Sequence, residues 1–231
     1  MGLDIEVGIV ADLKRNDPEA YQHLREEFQR LNQFLLDSGL EQHREPEDLL
    51  EEQVFSCQMW GYSGLHRLRR LAAHLALGGP LPDPVNSDAS KDPIVERYYA
   101  LASGSQGFLA RLLRNKQDKL QFEHLMMHSD AEGYYLPQDF SSVLYPDEQM
   151  KIAGAMVGSA PRLLEECRRL AAAIKLPTDL DHESDELWGA ADQPDRTDAS
   201  WKRYGVEAFS CLRLIRGCEA SLATGAALVF C

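Results

Sequence analysis

The chain predicts an α+β fold, a small and mainly antiparallel sheet covered by about five helices, and three observations carry that expectation. A strict alternation of apolar and polar residues opens the chain at Leu3 to Val7, "ALVFC" closes it with a second strand-like run, and between them lie several amphipathic stretches of helical period. An all-helical bundle is the alternative, and the N-terminal alternation decides against it.

In "LDIEVGIV" Leu3, Ile5, Val7 and Ile9 share one side and Asp4, Glu6 and Gly8 the other, the period-2 pattern of a half-buried strand. Asp17 and Pro18 then supply an N-cap and a first-turn proline. Tyr21, Leu24, Phe28, Leu31 and Leu35 step by three or four until Gly39 stops the run. "VFSCQM", Val54 to Met59, reads as a short buried strand. Gly61 and Gly64 open a helix with Ser63 as its cap and Leu65, Leu68, Leu71, Ala72 and Leu75 as its apolar stripe.

The stretch 78–93 holds four prolines and two glycines and is a loop, because proline lacks the amide hydrogen that a helix or inner strand needs. Helical patterns resume over Pro93 to Ala102 and from Gln106 to about Lys119. "HLMMHSDAEGYYLPQDF" reads as a central hairpin, with strands at His124 to Met127 and Gly133 to Leu136 joined by a turn. A long helical pattern from Lys151 to Ile174 is interrupted by Pro161, so a kink or restart is expected after Ser159. Thr178 to Ser200 is an acidic loop. A last helix runs from about Ala199 to Leu222, with Val206, Phe209, Leu212 and Ile215 buried. The 231 residues read as one globular domain, with 78–93 and 178–200 as internal connections.

Composition limits the function classes. Apolar residues make up 44% and charged residues 26%, the balance of a soluble globular chain, and no apolar run approaches the roughly 20 residues of a membrane span. The start lacks a basic, apolar leader, and Glu6 stands where a myristoylated chain carries Ser or Thr. Five scattered cysteines without a CxxC pair point to a reducing, cytoplasmic setting with no disulfide framework and no zinc knuckle. The net charge of −13 disfavours binding to nucleic acid, which is held through clustered Lys and Arg, and suits a basic protein partner. Thr178 to Ser200 holds eight acids against Arg196 alone, which leaves the rest of the chain only mildly acidic by this reading.

Several constellations are candidate sites. His124 and His128 could share a metal only on a helix; on the expected hairpin they stand about 13 Å apart, so no metal and no cofactor is expected. His128, Asp130, Glu132, Gly133 and Asp139 follow a calcium-loop spacing but lack the leading Asp and closing Glu, and Pro137 intrudes. His128, Asp130 and Glu132 could serve as acid and base if their turn lines a pocket. Ser63 between Gly61 and Gly64 resembles a nucleophile elbow, although Leu65 stands where the second glycine belongs. The same helix start, with Ser63, His66, Arg67 and Arg70, could take an anion. Asp181, Glu183, Asp185 and Trp188 combine a negative rim with an aromatic anchor, the makings of a partner site.

The blocks "WGYSGLHRLRRLAAHLALGG" and "LMMHSDAEGYYLPQDF", with the "GLDIEVGIVADL" start, resemble stretches of uncharacterised bacterial conserved proteins, and that resemblance implies no activity. The leading expectation is a cytosolic interaction protein for a basic partner, of which a toxin-neutralising immunity protein is one form. The alternative is an enzyme, a hydrolase or acid/base catalyst, whose pocket lies between the 61–70 turn and helix and the 128–139 turn. The oligomeric state stays open.

Overall fold

Glycine 8 sets the first corner of the molecule. In the computed structural model, which describes residues 3–84, 88–103, 121–194 and 200–231, the opening strand β1 (Asp4–Val7) ends there because Gly8 takes φ +91, a conformation L side chains rarely adopt. The chain turns into helix α1 (Ile9–Asn16), so the alternation expected to run on to Ile9 stops two residues early. Asp17 then accepts from the Ala20 amide at 3.0 Å and caps α2 (Pro18–Asp37), as its Asp-Pro signature predicts.

Strand β2 (Phe55–Gln58) and helix α3 (Gly61–Ala76) follow, then α4 (Pro93–Ala102), capped by Asp92. Next come the single turn α5 (Glu123–Met126), strand β3 (Tyr134–Leu136), strand β4 (Val157–Ser159) and α6 (Ala160–Ile174). Helix α7 (Asp185–Asp192), α8 (Gly205–Thr224) and β5 (Leu228–Phe230) complete the described residues. The helix expected over 106–119 lies outside them.

The five strands form one sheet in the order β2-β1-β5-β3-β4; all neighbours are antiparallel except β3 and β4. Ile5, Val7, Cys57, Tyr135, Leu228 and Phe230 face a layer built from α3, α6, α7 and α8. On the other face α2 sets Phe28, Leu31 and Leu35 against Tyr134, Leu136, Val157 and Val229. Helix α8 is the axle of the first layer, and Phe209, Leu212 and Ile215 are fully buried there as expected, with Val206 at 3% exposure. No helix among the described residues is long and apolar enough to cross a membrane.

The expected central hairpin is not formed. His124 to Met126 is a helical turn, and β3 pairs with β4 and β5 instead. The cause is long-range: the Glu166 carboxylate of α6 accepts from the His124 and Leu125 amides at 3.1 and 2.8 Å. Tyr135 Oη donates to the His124 carbonyl and Arg69 Nε to the Leu125 carbonyl, both at 2.9 Å. Side chains from three elements occupy the backbone groups a hairpin would have paired. The pattern beginning at Lys151 is likewise irregular chain and strand until Ser159, where α6 starts with Ser159 as cap and Pro161 in its first turn.

Two glycines allow the helix layer to close. A Cβ on Gly205 would lie 1.8 Å from the Ala190 carbonyl oxygen, and one on Gly64 would lie 2.5 Å from Ser210 Oγ. The Gly-x-Ser-Gly stretch is therefore a packing feature, in which Gly64 lets α3 meet α8. Gly205→Ala must push α7 off α8, and we expect it to destabilise the protein by about 2 kcal/mol, measured by urea denaturation.

Candidate interaction surface

Most of the residues singled out as chemical serve the fold. Ser63 is exposed and lies inside the first turn of α3, not at its cap; its hydroxyl donates to the Trp60 carbonyl at 3.3 Å. Arg70 is buried and donates to Asp92 at 2.6 Å and to the Asp83 carbonyl at 2.9 Å, which ties the 78–93 loop and the start of α4 to α3. His74 also meets Asp92, at 3.3 Å. Arg70 is thus consumed by the protein's own acid and is not available to an anion at the start of α3. Arg67 is half-buried and acts on the buried carboxyl of Glu207.

The 61–70 helix and the 128–139 turn do meet, through His66 Nε2 and Asp130 Oδ2 at 2.9 Å. Around that pair the other candidates diverge. Glu132 accepts from the Gly154 amide at 3.3 Å, and the His128 ring stacks on Tyr135 at 4.0 Å with its nitrogens toward the Ser129 and Tyr134 carbonyls. Arg69, part of the basic patch on this helix by its sequence, clamps the turn instead by donating to the His128 carbonyl at 2.6 Å. His124 Nδ1 accepts from the Ser159 amide at 3.0 Å, so the two histidines address different partners although α5 is helical. No group of three or more metal-binding side chains occurs among the described residues.

Burial pushes the His128 imidazole down to about 4 and the Glu166 carboxyl up to about 7. The signs for stability are opposite. Folded Glu166 keeps its proton above the usual value near 4.5, so its contribution is fully present below that value and is lost as pH rises through 7. Folded His128 sheds its proton early, so its contribution falls as pH drops from 6.5 toward 4. We expect Glu166→Gln, compared with the parent protein by urea denaturation, to gain relative stability steadily from pH 5 to pH 7.5. A difference independent of pH would contradict this.

The acidic stretch is partly helical, a correction to the loop expectation. Ser184 Oγ accepts from the Leu187 amide at 3.3 Å and caps α7, whose Leu187, Ala190 and Ala191 are buried at helical spacing. Trp188 is not an outward anchor. It packs against Phe209 at 4.7 Å and Trp60 at 6.1 Å, with the Arg213 guanidinium 4.9 Å from its ring centre. Asp181 and Asp185 are exposed, as is Glu183.

Arg213 organises this region and was not among the sequence-predicted residues. It is 1% exposed, lies 4.0 Å from the Phe209 ring centre, and donates to the carbonyls of Gln58 in β2 and His182 in the acidic segment. Its guanidinium also pairs with Glu183 at 2.7 Å. Together with the Phe55 ring, 5.5 Å from His182, it seats residues 182–183 along β2, the outer strand of the sheet.

That seating joins two acidic segments. Residues 1–53 carry fourteen acids against five basic residues, more surplus than 178–200, and outside the two segments bases outnumber acids eighteen to fifteen. The expectation that the rest of the chain is only mildly acidic is therefore wrong for its first quarter. Because Ile5 and Val7 point into the helix layer, Asp4 and Glu6 project from the opposite face of β1, about 7 Å apart. Burial raises the Glu6 carboxyl, and the charge of Asp12 raises it further. Burial pushes the Cys57 thiol up to about 12; Arg213 opposes the rise, while Glu183 and Asp4 add to it from the two segments. Glu51 and Glu52, both exposed, lead into β2. Asp4 and Glu6 of β1, Glu51 and Glu52 just before β2, and Asp181 and Glu183 beside β2 thus lie near the β2 edge of the sheet, with Asp12 close to Glu6.

Fold and surface define an α+β protein that brings acids from two distant parts of its chain near one edge of its sheet. Residues 1–230 match the family described as "Putative DNA-mimic protein", and the chain belongs to that family. No curated protein and no solved structure matches it. The family overturns the expectations of a toxin-neutralising protein and of a hydrolase or acid/base catalyst. For the partner expectation the family description points to DNA-binding proteins in place of an unspecified basic partner.

Proposed function

We propose that this protein occupies the DNA-binding face of a DNA-binding protein, with the acids at the β1–β2 edge standing where phosphates would stand. The observation that carries the reading is that acids of both segments, Asp4 and Glu183 among them, come near one sheet edge in a chain whose remaining sequence has a slight excess of bases. DNA-binding faces hold phosphates with Arg, Lys and backbone amides, and such donors accept carboxylates as well. A folded scaffold holds its carboxylates in place before contact, so less ordering is needed on binding.

Family membership supports the reading and narrows the partner to proteins that use DNA. Asp181, Glu183 and Asp185 belong to the proposed contact surface; Trp188 lies beneath it and supports it. The test is retention of a DNA-binding protein on the immobilised chain. Short duplex DNA added at constant ionic strength elutes that protein if the two ligands share its face, and leaves it in place if they do not.

A further inference from the structure

Against α2 lies a second feature, which no motif in the sequence announces. A cavity of about 230 Å³ opens between α2 and the segment 43–47. His43 is fixed there by Asn32, which donates to the His43 carbonyl at 2.9 Å and accepts from its amide at 2.7 Å. The His43 ring meets Glu45 Oε2 at 2.6 Å, and the Ala227 amide donates to the same oxygen at 2.8 Å. Glu45 is held by both contacts, with its side chain 5% exposed.

Its other oxygen is different. Glu45 Oε1 is buried and accepts no hydrogen bond among the described residues, although the residue lines the cavity. A buried carboxylate oxygen without a donor costs on the order of 1–3 kcal/mol, more when charged, so a ligand that brings an N–H donor recovers that loss. Phe28 and Val10 supply apolar wall. Glu47 and Arg25 stand at the cavity too, but they neutralise each other at 3.2 Å, and Glu47 further accepts from Tyr21 Oη at 2.7 Å. Gln29 and Arg44 are exposed lining residues.

We infer that this cavity receives one cationic side chain, an arginine or lysine, which donates to Glu45 Oε1 while its aliphatic stem lies along Phe28 and Val10. The volume suits a single side chain and is below that of ordinary small-molecule pockets, which begin at about 300 Å³. The source of the side chain rests on the proposed function: a DNA-binding face carries such residues, and one of them would anchor the complex in a socket that DNA does not offer. The cavity then contributes discrimination, and the acidic edge long-range attraction.

The test needs no partner. N-acetyl-arginine methylamide is titrated into the full chain and followed by amide NMR shifts at His43 and Ala227, with the neutral citrulline analogue and inorganic phosphate in parallel. We expect saturable shifts with the arginine compound alone, weakened about tenfold to a hundredfold in Glu45→Gln. The variant Gln29→Trp, which fills the mouth and leaves Glu45 untouched, loses binding in the same way, so a folding defect in the first variant does not decide the result. Arg44→Gln tightens the arginine compound by removing a like charge. Absence of saturation, equal binding of the citrulline analogue, preference for phosphate, or indifference to both Glu45→Gln and Gln29→Trp overturns the inference. If the cavity fails while DNA-competitive binding persists, the cavity is overturned and the proposed function stands. If the cavity binds while DNA competition fails, the cavity is supported and only the proposed origin of its ligand is lost.

Discussion

Neutralising Asp4, Glu6, Asp12 and Asp181 together, as Asn, Gln, Asn and Asn, is expected to weaken association with a DNA-binding partner about 30-fold at an ionic strength of about 0.1 M. Each half-exposed or exposed carboxylate paired with a partner cation contributes about 0.5 kcal/mol, and four of them sum to about 2 kcal/mol. The loss should fall mainly on the association rate, because charges at the rim of an interface steer encounter over a Debye length of about 10 Å. Raising the salt should shrink the difference between parent and variant. Glu96, Glu148 and Glu165 are exposed and lie outside the two acidic segments, and changing them to Gln serves as the control, with the loss compared per charge removed. An equal loss in the control set would mean that net charge alone, and not its placement, governs association. Stopped-flow association and equilibrium titration at two salt concentrations make the comparison.

Replacing Arg213 is the change with the largest expected effect on the molecule itself. Arg213→Met removes the donors of two backbone carbonyls, Gln58 and His182, and the cation that lies against Phe209 and Trp188. Both carbonyls are part-buried, so leaving them unpaired costs toward the lower end of about 1–3 kcal/mol each, and methionine fills only part of the guanidinium's space. We expect a loss of about 3 kcal/mol, which for a chain of this size lowers the melting temperature by roughly 10 °C. Glu183, half-exposed, loses its partner without being stranded in the interior, so the damage comes from the carbonyls and the packing. The second consequence is local: residues 178–184 should detach from β2 and show faster amide hydrogen exchange than the helices around them. If calorimetry finds the melting temperature unchanged and exchange in this segment unaltered, Arg213 does not hold the two acidic segments together.

Much of the architecture was legible because local pattern and final environment agree. The alternation at Leu3, Ile5 and Val7 marks side chains that meet the helix layer, the Asp17-Pro18 pair caps α2, and Pro161 marks where α6 begins. The helical turn at His124 is not legible because nothing near it announces that Glu166, forty-two residues away, will cap its amide and turn the segment helical. Helix α7 was hidden for a different reason: Ser184 and the Leu187, Ala190, Ala191 spacing signal a short helix, but the surrounding acids dominated the reading.

The candidate surface was half legible. Asp181, Glu183 and Asp185 follow from charge density alone, and a simple count of acids over 1–53 would have added Asp4, Glu6 and Asp12. That the two segments meet could not be read, since it depends on strand order and on one buried arginine in a helix whose other buried residues are mostly small or apolar. An aromatic among acids reads as an exposed anchor, but the Trp188 ring packs against Phe209 and Trp60, which also touch each other. The Glu45 cavity is invisible in the sequence because Asn32, the His43–Glu45 segment and Ala227 come from three places in the chain and form no motif.

Displacement decides the central claim. A labelled DNA duplex is bound to a protein that the immobilised chain retains, and the free chain is added while fluorescence anisotropy is recorded. The account predicts that anisotropy falls to the value of free duplex with competitive, mutually exclusive binding. A rise in anisotropy, from a complex that holds duplex and chain at once, would contradict it.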